Sequence, residues 1–158
     1  MKRILTALFC FFLLTITAQE AKFKQFYKNH KDKSAFSINL SSSFAGSFFD
    51  EEDNEEIKNL LKKSSDFKVM IFDNEDSSVS KDFNRFSRKN NLKTLVRAKE
   101  KGGKAEVLFI EKAGYVREIV VRASGKSDKM VLLGIKTKIT KDELASLLAS
   151  TKDKVASN

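Results

Sequence analysis

Lys81, Arg85, Arg88 and Lys89 recur at i, i+4, i+7 and i+8, so on a helix they fall in one cationic stripe. From Lys81 to Lys104 nine Lys and Arg are opposed only by Asp82 and Glu100, a local net charge of +7. Like charges at helical spacing repel by a few tenths of a kcal/mol per pair, roughly, so the helix itself gains nothing from them. The functional reading is a docking surface for an anionic envelope component: an acidic protein, a phospholipid headgroup or a polysaccharide. The plainer reading is a solvated helix face, with its charge balanced in the fold by Asp50–Glu56, where six of seven residues are acids.

Other reactive side chains are few. The chain has one His and one Cys. His30 follows an amphipathic segment and reads as a surface or capping histidine, because no second His or Cys can share a metal with it. Gly102-Gly103-Lys104 lacks the leading glycine and the trailing Ser/Thr of a phosphate loop, and reads as a hairpin turn. The acids of Asp50–Glu56 lack the spacing of a calcium loop, and suit a helix N-terminus instead. Carboxylate pairs for hydrolysis, or a Ser–Lys pair, would have to be assembled in space. The inventory therefore predicts a protein that is not an enzyme and that carries no metal or cofactor. A nucleic-acid partner is not expected, since no helix-turn-helix or aromatic-rich RNA-binding strand is present.

The N-terminus predicts export. Lys2 and Arg3 precede an apolar run of 13 residues, Ile4–Ile16, and the chain then reads Thr17-Ala18-Gln19. That order is a secretory signal cleaved between Ala18 and Gln19. The run is too short for a bilayer-spanning helix, which takes about 20 residues, so no transmembrane segment is expected in the mature chain. Cys10 follows Phe9 inside the apolar run, so it is not a lipidation site and would be discarded with the signal. The mature protein would have no cysteine, hence no disulfide and no thiolate chemistry. It is expected in the periplasm or secreted, with a net charge of +7 in place of the +9 of the 158-residue chain.

These side chains must be positioned by the remaining elements. Residues 21–33 predict a helix with Phe23, Phe26 and Tyr27 on one side, and 35–41 a strand. Ser42–Phe49 reads as a short helix, and the acidic run opens a helix through Ile57, Leu60 and Leu61. Phe67, Val69 and Ile71 alternate with Met70 and Phe72, two apolar faces that place strand 67–72 inside a sheet. Val79, Phe83 and Phe86 form the core stripe of helix 79–90. Residues 92–99 suit helix or strand equally. Ala105–Glu111, Tyr115–Ala123 and Met130–Ile139 read as a β-meander joined by Lys112-Ala113-Gly114 and a turn at 125–128. Thr140 and Glu143 make a capping box for a last helix that buries Leu144, Leu147 and Leu148. Phe48-Phe49 beside the acidic run reads as buried by a neighbouring element, or alternatively as an exposed partner contact.

The segments Leu95–Glu100, Ala105–Phe109 and Val116–Val121, the close Val131–Gly134 through Ile139–Leu144, and Ser37–Leu40 with Phe44 and Phe48-Phe49 together resemble the small exported bacterial family called domain of unknown function 4252. The resemblance spans most of 22–150 and implies an exported envelope protein with no catalytic residues to carry over. The expected fold is one α+β domain over residues 19–150, followed by a flexible tail at 151–158. It has a mixed or antiparallel sheet of five or six strands, helices on one face, and a C-terminal meander with a docked helix. The expected function is non-catalytic binding of an envelope component. The alternative is an anion-binding surface at Lys81, Arg85, Arg88 and Lys89, and the least favoured reading is a carboxylate hydrolase.

Overall fold

The computed structural model describes residues 21–45, 55–73, 77–100, 102–125 and 129–156. The expected signal with its Ala18–Gln19 junction, Phe48-Phe49 and most of the acidic run lie outside these residues. The elements are α1 (Lys22–His30, continued by a 3₁₀ turn, Lys31–Lys33), β1 (Phe36–Ser41), α2 (Ser42–Ala45), α3 (Glu55–Lys62), β2 (Ser64–Asp73), α4 (Ser78–Lys89), β3 (Lys93–Glu100), β4 (Gly103–Lys112), β5 (Tyr115–Ser124), β6 (Lys129–Ile139) and α5 (Lys141–Ala156).

One sheet of order β1-β2-β6-β5-β4-β3 forms the α+β domain. Every pairing is antiparallel, so the sheet is not mixed. The reason is the connections: α4 carries the chain from β2 to the far edge, and a meander then steps back strand by strand until β6 pairs with β2. The turn from β4 to β5, Ala113-Gly114, has φ of 54° and 78°, the two positive values that a two-residue hairpin with right-handed strand twist requires. The ambiguous segment after α4 becomes edge strand β3, because β4 offers it a free ladder.

Helices cover both faces of the sheet, not one. Phe23 and Phe26 of α1 and Val79 and Phe83 of α4 pack on Met70, Phe72, Val120, Met130 and Leu132. Leu60 and Leu61 of α3 and Leu144 and Leu147 of α5 pack on Phe67, Ile119, Ile135 and Ile139, which point the other way along the same strands. The physical reason was visible in β2: a strand apolar on both sides demands two layers of cover. Helix α5 also continues to Ala156, past the boundary at residue 150 that the polar composition suggests.

The capping box forms as its spacing predicts. Thr140 N–H donates to Glu143 Oε2 at 2.8 Å and Glu143 N–H donates to Thr140 Oγ1 at 3.2 Å. Lys63 and Asn59 reach the same carboxylate from the end of α3. The Lys63 ammonium, then the Thr140 N–H, then Asn59 hold the Glu143 pKa down at about 2. A depressed folded pKa stabilises the fold above the unfolded carboxyl value, and the stabilisation is lost as pH falls through the folded one. Glu143→Gln, which keeps the box but removes the charge, is expected to cost about 1 kcal/mol at neutral pH. The deficit should vanish near pH 2 in paired denaturation curves, and an equal deficit at both pH values would contradict it.

Candidate functional site

Helix α4 presents the cationic stripe as its spacing implies. Val79 and Phe83 are buried beneath it, while Lys81, Arg85, Arg88 and Lys89 are exposed. Arg85 pairs with Asp82 at 3.2 Å. Lys81, Arg88 and Lys89 make no ion pair among the described residues. Arg88 and Lys89 also stand in the last turn, where positive charge complements the helix dipole. The other bases of the segment are spread along the sheet: Lys93 bonds Glu111 at 2.9 Å, and Arg97 bonds Glu106 at 2.6 Å. Glu111 is held between Lys93 and Lys141, and its pKa is lowered by those two ammonium hydrogen bonds. Lys99 and Lys104 stand directly opposite each other at the β3 end of the sheet, a like-charge pair of the kind that blunts an edge.

Balance of the stripe by the acidic run does not occur for the part described. Glu55 and Glu56 open α3, whose apolar side packs on the sheet face opposite to α4. Glu55 instead lies 4.0 Å from Lys58 of its own helix.

His30 is partly buried, its side chain 14% exposed at the end of α1. Its ring stacks on Phe26 at 4.0 Å, Nδ1 lies 3.0 Å from the Phe26 carbonyl oxygen, and Nε2 lies 3.4 Å from Asp82. It therefore bridges α1 to α4, a contact between segments 52 residues apart that spacing alone does not reveal.

The second feature is apolar. On the face covered by α3 and α5, the strand registers align Phe36, Ile71, Val131, Ala123, Ala105 and Ala98 in one row across all six strands. The neighbouring row is Ile38, Val69, Leu133, Val121, Val107 and Val96. All twelve are apolar and none is fully buried; Phe36 is 50% exposed and Val131 36%. The next row, through Phe67, Ile135, Ile119 and Phe109, is buried. Helices α3 and α5 thus cover one end of this face and leave the other open. Between their undersides and the sheet lies a cavity of about 370 Å³, roofed by Ile57, Leu60 and Leu61 of α3 and Leu144, Leu147 and Leu148 of α5.

The opposite face is treated differently at the same strands. There β3, β4 and β5 carry Arg97, Glu106 and Arg122 in register, and Arg122 reaches Asn84 at 2.8 Å and stacks over Phe83. Alternation in β3 and β4 could have signalled an apolar side, since Val96 and Ala98 flank Arg97. It could not say how much of that side the helices would leave open.

The family described as domain of unknown function 4252 matches residues 26–147, about three-quarters of the chain, from within α1 to within α5. The chain belongs to that family. No curated protein and no solved structure matches it. In this member of the domain of unknown function 4252 family, the matched residues contain all six strands, the α4 stripe and the apolar rows. No helix among the described residues is long and apolar enough to cross a membrane.

Proposed function

We propose that the protein is an exported, non-catalytic binding module of the cell envelope that meets its partner on the open apolar end of the α3/α5 sheet face. The observation that carries this reading is the pair of apolar rows spanning six strands without complete cover. Contiguous exposed apolar surface of this kind marks interaction sites in soluble proteins. The charged N-terminus followed by Ile4–Ile16 and Ala18 supports export to the periplasm or beyond. Several carboxylates serve the fold, Glu143 in its capping box and Glu111 between two lysines, which supports a binding role over hydrolysis.

A second reading, docking of an anionic lipid, polysaccharide or acidic protein on α4, is favoured by the exposure of Lys81, Arg88 and Lys89. Its affinity would fall steeply with salt, because screening shortens to about 8 Å near physiological ionic strength. One experiment separates the two. Native envelope extract is passed over the protein, a variant with Lys81, Arg85 and Arg88 changed to Gln, and a variant with Phe36→Lys and Val131→Lys. Retention that survives the first variant and fails with the second supports the apolar face. The reverse pattern, abolished by salt, assigns the partner to α4 and overturns our reading.

A further inference from the structure

We propose that the cavity beneath α3 and α5 binds the hydrocarbon chain of a single-chain amphiphile with an uncharged, hydroxyl-bearing head; this rests on the binding-module reading above and names its ligand class. The cavity volume of about 370 Å³ falls in the range of small-molecule sites. Each lining residue among those described is apolar, so a polar group placed there would lose its hydrogen bonds to water without replacement. A methylene chain has none to lose.

Size argues against a second protein as the occupant. Six strands at roughly 4.8 Å spacing and two rows of alternate residues give about 400 Å². A stable protein interface buries about 800 Å² on each partner, twice what the two rows offer. A chain lying in the cavity and along Leu133 and Val121 needs no more area than is present.

The mouth of the cavity selects the head group. Leu60 and Leu147 line both the cavity and an adjoining polar groove of about 500 Å³ between α3 and α5. That groove carries Glu55, Glu56, Asp142 and Glu143, with Lys62 as its one base among the described lining residues, and also Asn59 and Ser146. Glu143 is paired with Lys63, but Glu55, Glu56 and Asp142 still outnumber Lys62 and oppose a fatty-acid carboxylate, whereas hydroxyl groups find acceptors on the acids.

Calorimetric titration of the protein with monocaprylin, monocaprin and monolaurin, each below its micellar concentration, tests this. Saturable one-to-one binding is expected, tightening about tenfold with each added pair of methylenes. Laurate should bind at least tenfold more weakly than monolaurin. Leu133→Trp, which fills the cavity from the sheet, should abolish binding. Displacement of a polarity-sensitive naphthalene dye from the unmodified protein by monolaurin gives a readout that needs no variant. Absence of saturable binding, indifference to chain length, laurate binding as tight as monolaurin, or a Leu133→Trp variant that folds and still binds would each overturn the proposal. So would a dimer in sedimentation equilibrium that Val131→Lys dissociates, since the face would then belong to a second copy. Loss of monoglyceride binding with face-dependent capture from extract intact would refute the ligand class and leave the module reading standing.

Discussion

Replacing Glu118 by alanine is expected to lower stability by about 2–4 kcal/mol and to loosen α1 before any other element. Helix α1 begins after Ala21, which supplies no side-chain cap. Glu118 of β5 takes that role from 95 residues away: its two carboxylate oxygens accept the Lys22 N–H at 2.6 Å and the Phe23 N–H at 2.8 Å. Both bonds are charge-assisted, and the carboxylate sits at the positive end of the helix dipole. Glu118 is 6% exposed, so truncation strands two donors where water reaches them poorly. Glu118→Gln keeps one acceptor oxygen and should lose about half as much. Chemical denaturation checks the magnitude, and hydrogen exchange checks the place. The α1 amides should exchange faster in the variant while those of β2 and β6 keep their order. Uniform loosening of the whole sheet would show that Glu118 acts on the core and not on the helix end.

Gly134→Val is expected to cost about 3 kcal/mol, the upper part of the range for overpacked cores. Gly134 lies in central strand β6, between Lys68 of β2 and Val120 of β5 in register. A Cβ on Gly134 would overlap the Phe23 ring, which occupies the space where a side chain would otherwise project. Phe23 is 3% exposed and contacts Phe26 and Phe86 at ring-centroid distances of 5.9 and 6.3 Å, so it has no free direction in which to retreat. The glycine serves close approach of helix to strand. If so, the double variant Phe23→Ala/Gly134→Val should be more stable than the sum of the single losses predicts, by 1 kcal/mol or more, roughly, because the ring that clashes is gone. Strict additivity would refute the contact as the cause.

Both predictions concern the docking of α1, and neither residue could be singled out from the chain alone. Glu118 reads in sequence as one polar residue between Arg117 and Ile119 on a strand, and Gly134 as an interruption in an apolar run. Local patterns did carry the elements. Two-sided apolarity placed β2 in the interior, Thr140 and Glu143 announced the start of α5, and Lys112-Ala113-Gly114 announced a hairpin. The α4 stripe was legible because its residues share one helix, where spacing fixes direction.

Legible in the chain were the quantities set within a few residues: periodicity, caps, turns, the cationic stripe and membership of an α+β class. Tertiary structure decided the rest. It put helices on both faces, it placed Glu55 and Glu56 across the sheet from the cations they were expected to balance, and it drew His30 into a bridge to Asp82. It also aligned twelve apolar residues from six strands into a partly open surface beside and continuous with a cavity. The reason is the range of the interactions. Helix and strand geometry propagate over a turn or a pleat and leave a local signature. Cross-strand register and helix docking join residues tens of positions apart through short-range contacts, and a single chain of letters holds no record of which distant pairs will meet.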